Sequence, residues 1–182
     1  MVFATIVCGS ADPDGVTRGM CDSACDLLAS YGCEVRLFVV SDMDIGHCRD
    51  CGGCEDGGCV IDDDMSQIYD SISSSDILVL ATPMHFSSPS SLLKTVMDRM
   101  QPYWFDHGRP HPSYCIGLLC GGSKEPFFEV TERILRSFCL TMGMDYKGSV
   151  KIPDTDSGDI DPRPAVRGFL EAVREDMGLW RA

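Results

Sequence analysis

The chain has no long hydrophobic run. Nothing in its 182 residues approaches the roughly 18 apolar residues that cross a bilayer, so no membrane span is expected. Its first residues, Met1-Val2-Phe3-Ala4-Thr5-Ile6-Val7-Cys8, carry no charged segment and run straight into a turn, unlike a secretory signal. Positive charge is scarce. Fifteen Lys and Arg face 28 Asp and Glu, giving a net charge of −13 and a pI near 4.5. Attraction to nucleic acid or an anionic membrane becomes repulsion, so neither is expected as a partner. Neither G-x-x-x-x-G-K-[ST] nor G-x-G-x-x-G occurs, which disfavours nucleotide hydrolysis and the dinucleotide fingerprint. Internal repeats and a domain-splitting linker are also missing. One domain over 1–182 is expected, with a cysteine-rich loop at 41–61 and an irregular insert at 101–113.

What the chain does have is cysteine, eleven in all. The count is odd, and Cys8, Cys115, Cys120 and Cys139 sit inside apolar patterns, where a free thiol behaves as a small hydrophobe. That usage suits a reducing cytoplasm, where clustered cysteines bind metal more often than they form disulfides. Cys48, Cys51, Cys54 and Cys59 fall at the spacing C-x2-C-x2-C-x4-C, interleaved with four glycines that let the backbone fold tightly. Four converging thiolates are the ligand set of an iron–sulfur cluster or a tetrahedral zinc. Consecutive x2 steps lean toward a cluster, because zinc sites usually pair two separated C-x2-C knuckles. A mobile loop, or two incidental disulfides, is the plainer alternative.

Around that loop, strands and helices alternate. Apolar β-rich runs at 2–8, 34–40, 76–82, 114–120 and 145–151 predict strands. Helices are predicted over 16–31, 62–74, 90–100, 126–142 and 163–177, with Asp62-Asp63-Asp64 as capping charge. The repeated β-α order implies a parallel α/β sheet with helices on both faces. Ligands of such sheets bind beyond the carboxyl ends of the strands, here loops 9–17, 41–61, 83–89 and 120–125. Loop 9–17 joins the Ser10 and Thr17 hydroxyls to a helix N-terminus, the makings of an anion site. Helix packing accounts for Cys21 and Cys25, solvation for Lys124, and a surface excursion for Trp104, Phe105, His107 and His111.

Three separated motifs carry a family resemblance across roughly residues 1–150. Gly9-Ser10-Ala11-Asp12-Pro13-Asp14-Gly15-Val16-Thr17 resembles the G-S-P-R-x-x-G-N-T phosphate loop of the NADPH-dependent FMN reductase branch of flavodoxin-like proteins. Thr82 to Ser90, with Leu93-Lys94 and Asp98-Arg99, resembles that branch's (S/T)-P-x-Y-x-x-x-x-(S/P)…LK…(I/M)DR signature. The cysteine run followed by Val60-Ile61-Asp62-Asp63-Asp64-Met65 is similar to the compact motif of iron–sulfur flavoproteins.

The resemblance implies a flavodoxin-like three-layer sandwich, with a five-stranded parallel sheet in the order 2-1-3-4-5. It implies that Ser10 and Thr17 hold an FMN phosphate in a loop that also contains Asp12 and Val16. Pro83, Met84, His85 and Phe86 then line the flavin ring, Gly121, Gly122 and Ser123 form a third flavin-side turn, and Cys48, Cys51, Cys54 and Cys59 ligate a 4Fe–4S cluster. The implied function is an FMN-dependent oxidoreductase passing electrons from NAD(P)H or ferredoxin to an acceptor, as a homodimer or dimer of dimers. A cluster-free NAD(P)H-dependent FMN or quinone reductase and a flavin-free module with a structural zinc are the alternatives. Here Ala11, Asp12 and Val16 depart from the family's proline, arginine and asparagine, and His85 stands where tyrosine is common. Asp12 sets a carboxylate where a cation faces phosphate.

Overall fold

A computed structural model of the protein describes residues 1–179; residues 180–182 of the expected domain lie outside the described residues. Strands β1 (Val2–Cys8), β2 (Cys33–Val39), β3 (Ile77–His85), β5 (Tyr114–Cys120) and β6 (Asp145–Ile152) form one sheet in the order β2-β1-β3-β5-β6. All of these pairings are parallel. Counting only these five, the order is the expected 2-1-3-4-5. The addition is β4 (Ser88–Pro89), which pairs antiparallel with the end of β3.

This addition corrects the expected loop at 83–89. His85 pairs with Ser88, and the two residues between them, Phe86 and Ser87, take φ of 51° and 61°. Two positive-φ central residues make the tight turn whose twist suits a hairpin. The sequence hides it, because the turn contains no glycine or asparagine and the strands contain Pro83 and Pro89. The insert at 101–113 is likewise not irregular throughout. It opens with helix α4 (Gln101–Phe105), where Pro102 occupies a first-turn position that needs no N–H and Tyr103 is buried.

The period-2 alternation of the strands divides the core. Ala4, Ile6, Cys8, Ile77, Val79, Ala81, Ile116, Leu118 and Cys120 face α1 (Val16–Ser30) and α6 (Arg163–Met177). Val7, Leu78, Leu80, Cys115 and Leu119 face α2 (Met65–Ser74), α3 (Ser91–Arg99) and α5 (Phe128–Met142). Strands buried on both faces read as continuous apolar runs, which is why β1 and β3 were legible. Cys8, Cys115, Cys120 and Cys139 are buried and pack as the apolar pattern predicts.

The carboxyl edge is pinned through α3. The Ser90 hydroxyl caps α3 by accepting from the Leu93 N–H (3.2 Å) and donates to the Gly9 carbonyl (2.6 Å). A Cβ on Gly9 would lie 2.6 Å from the Leu93 Cβ and 2.9 Å from the Ser90 Oγ. Because α3 must move to admit it, Gly9→Ala is expected to cost about 1–3 kcal/mol in urea unfolding.

Candidate functional site

The carboxyl ends of β1, β3 and β5 open into a cleft of about 1240 Å³. Its floor is the β1–α1 loop. The buried Ser10 hydroxyl accepts from the Asp12 N–H (3.2 Å), which leaves its own proton to give. Helix α1 starts at Gly15 with no side-chain cap, so the positive end of its dipole faces the cleft without a capping side chain. Thr17 is buried behind this turn, its hydroxyl 3.1 Å from the Cys120 Sγ. Burial raises the Cys120 thiol, against the lowering effect of its hydrogen bonds with Thr17. Beneath the loop, a hydrogen bond with Cys8, reinforced by burial, holds the Cys21 proton well above the ordinary thiol range.

Charge in the cleft is mostly of the wrong sign for a phosphate. Asp12, Asp14, Asp22, Asp26, Asp156, Asp159 and Asp161 line it against Arg18 and Arg163. Both arginines are engaged, Arg18 with Asp22 at 3.0 Å and Arg163 with Asp161 at 2.7 Å. Asp12 folds back over its own loop. One oxygen accepts the Asp14 N–H (3.0 Å), and the other lies 2.8 Å from where a Gly15 Cβ would stand. Val16 lines the same turn and offers no polar side-chain atom.

The remaining residues expected at a flavin are only partly gathered. Pro83 and His85 line the cleft. Met84 turns inward, its sulfur 3.4 Å from the Thr131 hydroxyl, and Phe86 projects fully into solvent at the hairpin tip. Gly121 packs under Pro126 and the Met84 methyl, and Gly122 lies against the Asp156 carboxylate. Ser123 is exposed and its carbonyl accepts from the Asp154 N–H (2.7 Å). Trp104, His107 and His111 line a separate depression beside the end of α5. Sequence reasoning missed the wall formed by Thr155, Asp156 and Gly158 to Arg163. The strand-end rule applies after β6 as it does after the other strands, and the Asp-rich run from Asp154 to Asp161 was its signal.

The four cysteines occupy the loop between β2 and α2. Cys48, Cys54 and Cys59 are half-buried and Cys51 is exposed. Gly52 and Gly57, at φ 74° and 117°, bracket a single 3₁₀ turn over Gly53–Asp56. Burial, then the nearby thiols Cys59, Cys48 and Cys51, raise the Cys54 thiol. The sulfurs are thus electrostatic neighbours. Among the described residues, however, no three Cys, His, Asp or Glu side chains converge into a group that could hold a metal ion.

Arg99, at the end of α3, ties this loop down. Its side chain is fully buried, with Nη1 2.6 Å and Nη2 3.0 Å from the two oxygens of Asp63. Nη1 also donates to the Gly46 carbonyl (2.7 Å) and Nη2 to that of Ile61 (3.4 Å). Asp63 in turn accepts the Gly46 N–H (2.9 Å) and the Met65 N–H (3.1 Å). The acidic triplet therefore caps α2 through Asp63. Cys59 stands beside the same guanidinium, whose buried Nε has no hydrogen-bond partner. An orphaned cationic N–H next to a thiol, in a set of four, fits a negatively charged sulfur centre.

A parallel sheet of this order, with its cleft at the carboxyl edge, defines a flavodoxin-like α/β protein. The fold superimposes on an NAD(P)H:quinone oxidoreductase from Methanothermobacter marburgensis with a TM-score of 0.73, covering 99% of each chain at 15% identity. It also matches an apo NADH:FMN oxidoreductase at 0.69, covering 97% of this chain and 90% of that one at 19% identity. Residues 3–150 match the model of the NADPH-dependent FMN reductase family, and the chain belongs to that family.

Its relatives include an iron-sulfur flavoprotein of Archaeoglobus fulgidus, 32% identical over 172 residues, covering 91% of this chain and 84% of that protein. An iron-sulfur flavoprotein of Methanocaldococcus jannaschii is 27% identical over 177 residues, covering 86% and 89%. Elsewhere the match is shorter: against another A. fulgidus iron-sulfur flavoprotein it is 35% over 98 residues, and the chain spans 44% of that relative's length.

Two outcomes follow from the charges. Unit charges about 4 Å apart interact by about 1 kcal/mol in water and about 4 near a protein surface. Asp12→Asn is therefore expected to tighten FMN binding about tenfold and leave riboflavin binding unchanged, read by flavin fluorescence titration. At the clamp, burial opposes ionisation of Asp63, but bonds from Arg99, Gly46 and Met65 hold its carboxyl below the ordinary value. A depressed folded-state value stabilises at neutral pH and stops doing so as pH falls through it. Asp63→Asn is expected to cost about 3–5 kcal/mol at pH 7, the deficit shrinking below about pH 4 in denaturant titrations.

Proposed function

We propose that the protein is an FMN-dependent oxidoreductase with a flavin in the carboxyl-edge cleft and a four-cysteine centre on the adjoining loop. The observation that carries this reading is α3, which reaches both places. Ser90 at its start bonds the β1–α1 loop, and Arg99 at its end bonds both flanks of the cysteine loop. FMN exchanges electrons in pairs or singly, whereas a 4Fe–4S cluster carries them singly, so the pair together can divide a two-electron supply.

The chain's own groups hold and orient. The Ser10 hydroxyl and the N-terminal turn of α1 receive the phosphate, with Thr17 behind them. Pro83 and His85 flank the ring, and Gly121 and Gly122 keep the opposite turn low. Cys48, Cys51, Cys54 and Cys59 supply the thiolates. No protein acid or base is required at the reacting atoms. NAD(P)H or a ferredoxin is the electron donor in this reading. A second copy of the chain covers exposed apolar residues such as Phe86, Phe127, Trp104 and Leu140. No helix among the described residues is long and apolar enough to cross a membrane, and the free thiols support a reducing cytoplasm.

The dispersed sulfurs favour a second reading, an NAD(P)H-dependent FMN or quinone reductase whose loop holds no cluster. Anaerobic purification and reconstitution, with iron, sulfide, zinc and flavin quantified, separates the two. Flavin together with iron and sulfide, the metal lost in Cys51→Ser while flavin stays, is the expected result. Flavin without iron, with reductase activity surviving Cys51→Ser, selects the second reading. Stoichiometric zinc without flavin overturns both.

A further inference from the structure

We infer that Arg99 is a positioning residue for the four-cysteine centre, closing the base of its loop and setting its electron affinity, an inference that rests on the metal-bearing reading of that loop.

The first part is geometric. Every one of the four cysteines lies between Gly46 and Ile61, and Arg99 donates to the carbonyls of both residues while holding Asp63 bidentately. One planar group thereby fixes the chain where it enters the loop and where it leaves. A guanidinium can do this because its donors form a rigid fork; an ammonium carries the charge without the fork. The guanidinium is itself held. Arg99 ends α3, and the Tyr69 hydroxyl donates to its carbonyl from α2.

The second part is electrostatic. The Arg99 side chain is wholly buried, and Asp63 balances its charge. The two terminal nitrogens are engaged and Nε alone has no acceptor. Buried donors are nearly always paired, so this one points to an acceptor that arrives with the loaded centre. Cys59 is the thiol that stands beside the guanidinium. Hydrogen bonds and positive charge next to a cluster's sulfurs stabilise the added electron and raise the reduction potential.

The test compares wild type, Arg99→Met, Arg99→Lys and Asp63→Asn, each reconstituted anaerobically with ferrous iron and sulfide. Each is then titrated with dithionite, the cluster's one-electron reduction followed by absorbance and by the EPR signal of the reduced form. Limited proteolysis of the metal-free proteins reads the loop. Arg99→Met is expected to shift the oxidised-to-reduced ratio at a given potential about tenfold toward oxidised, a midpoint about 59 mV lower for one electron. Arg99→Lys returns the midpoint to within about threefold of wild type on the same ratio scale. It does not restore protease protection between residues 47 and 60. Asp63→Asn loses protection without lowering the midpoint.

A wild-type midpoint and EPR signal in Arg99→Met, or a lysine variant no closer to wild type than the methionine one, overturns the inference. Should Arg99→Met fail to fold, faster loop cleavage in both remaining variants with a maintained midpoint supports it, and intact protection in both overturns it. Wild type that retains flavin but takes up neither iron nor sulfide removes the four-cysteine reading and this inference together, while the flavin site stands.

Discussion

A guanidinium taken out of water must be met by opposite charge and by acceptors for its protons, and Arg99 is wholly buried. That requirement organises the half of the molecule behind β2. Asp63 has to stand where it does, which starts α2, and the carbonyls of Gly46 and Ile61 have to turn inward, which brings the flanks of a long loop together. Only the base of the loop is specified this way. Its tip, from Asp50 to Gly57, is held by one short turn and three positive-φ residues. A firm base and a loose tip account for sulfurs that are neighbours without being gathered.

At the other site the division of labour differs. The groups able to receive an anion there are uncharged or dipolar, namely the Ser10 hydroxyl and the start of α1, while most of the formal charges lining the cleft are carboxylates. The family's phosphate loop offers arginine at the position of Asp12. Here that position supplies the loop with an internal acceptor, and the Asp14 N–H is satisfied within the protein. An anion held there by uncharged donors among fixed negative charges would bind with an affinity that depends on ionic strength more than on the pH of any basic side chain.

The two-faced core and the loops at the strand ends were legible because each rests on period and on turn-bounded strand ends, while the sheet order came with the family resemblance. The Ser10 and Thr17 placement was legible too. Phe86 was not, since its exposure comes from a two-residue turn without the usual turn residues. Gly121 to Ser123 follow β5 as expected, but Gly121 packs against Pro126 and Gly122 against Asp156, contacts that no local pattern announces. Arg99 passed as one letter of a signature. Its importance depends on contacts with Gly46, Ile61 and Asp63, the farthest 53 residues away in the chain. Sequence spacing carries no trace of such contacts.

Helix α3 is nine residues long, about 13.5 Å at 1.5 Å per residue. Its two anchors, Ser90 and Arg99, are therefore at opposite ends of a rigid ruler. Substitution along its outer face changes neither anchor, but insertion or deletion of a single residue turns one end about 100° relative to the other. Either the Gly9 bond or the Asp63 pair would then be lost. The protein can vary the sequence of this helix freely on the solvent side and cannot vary its length, so the separation of the two loops is encoded as a residue count.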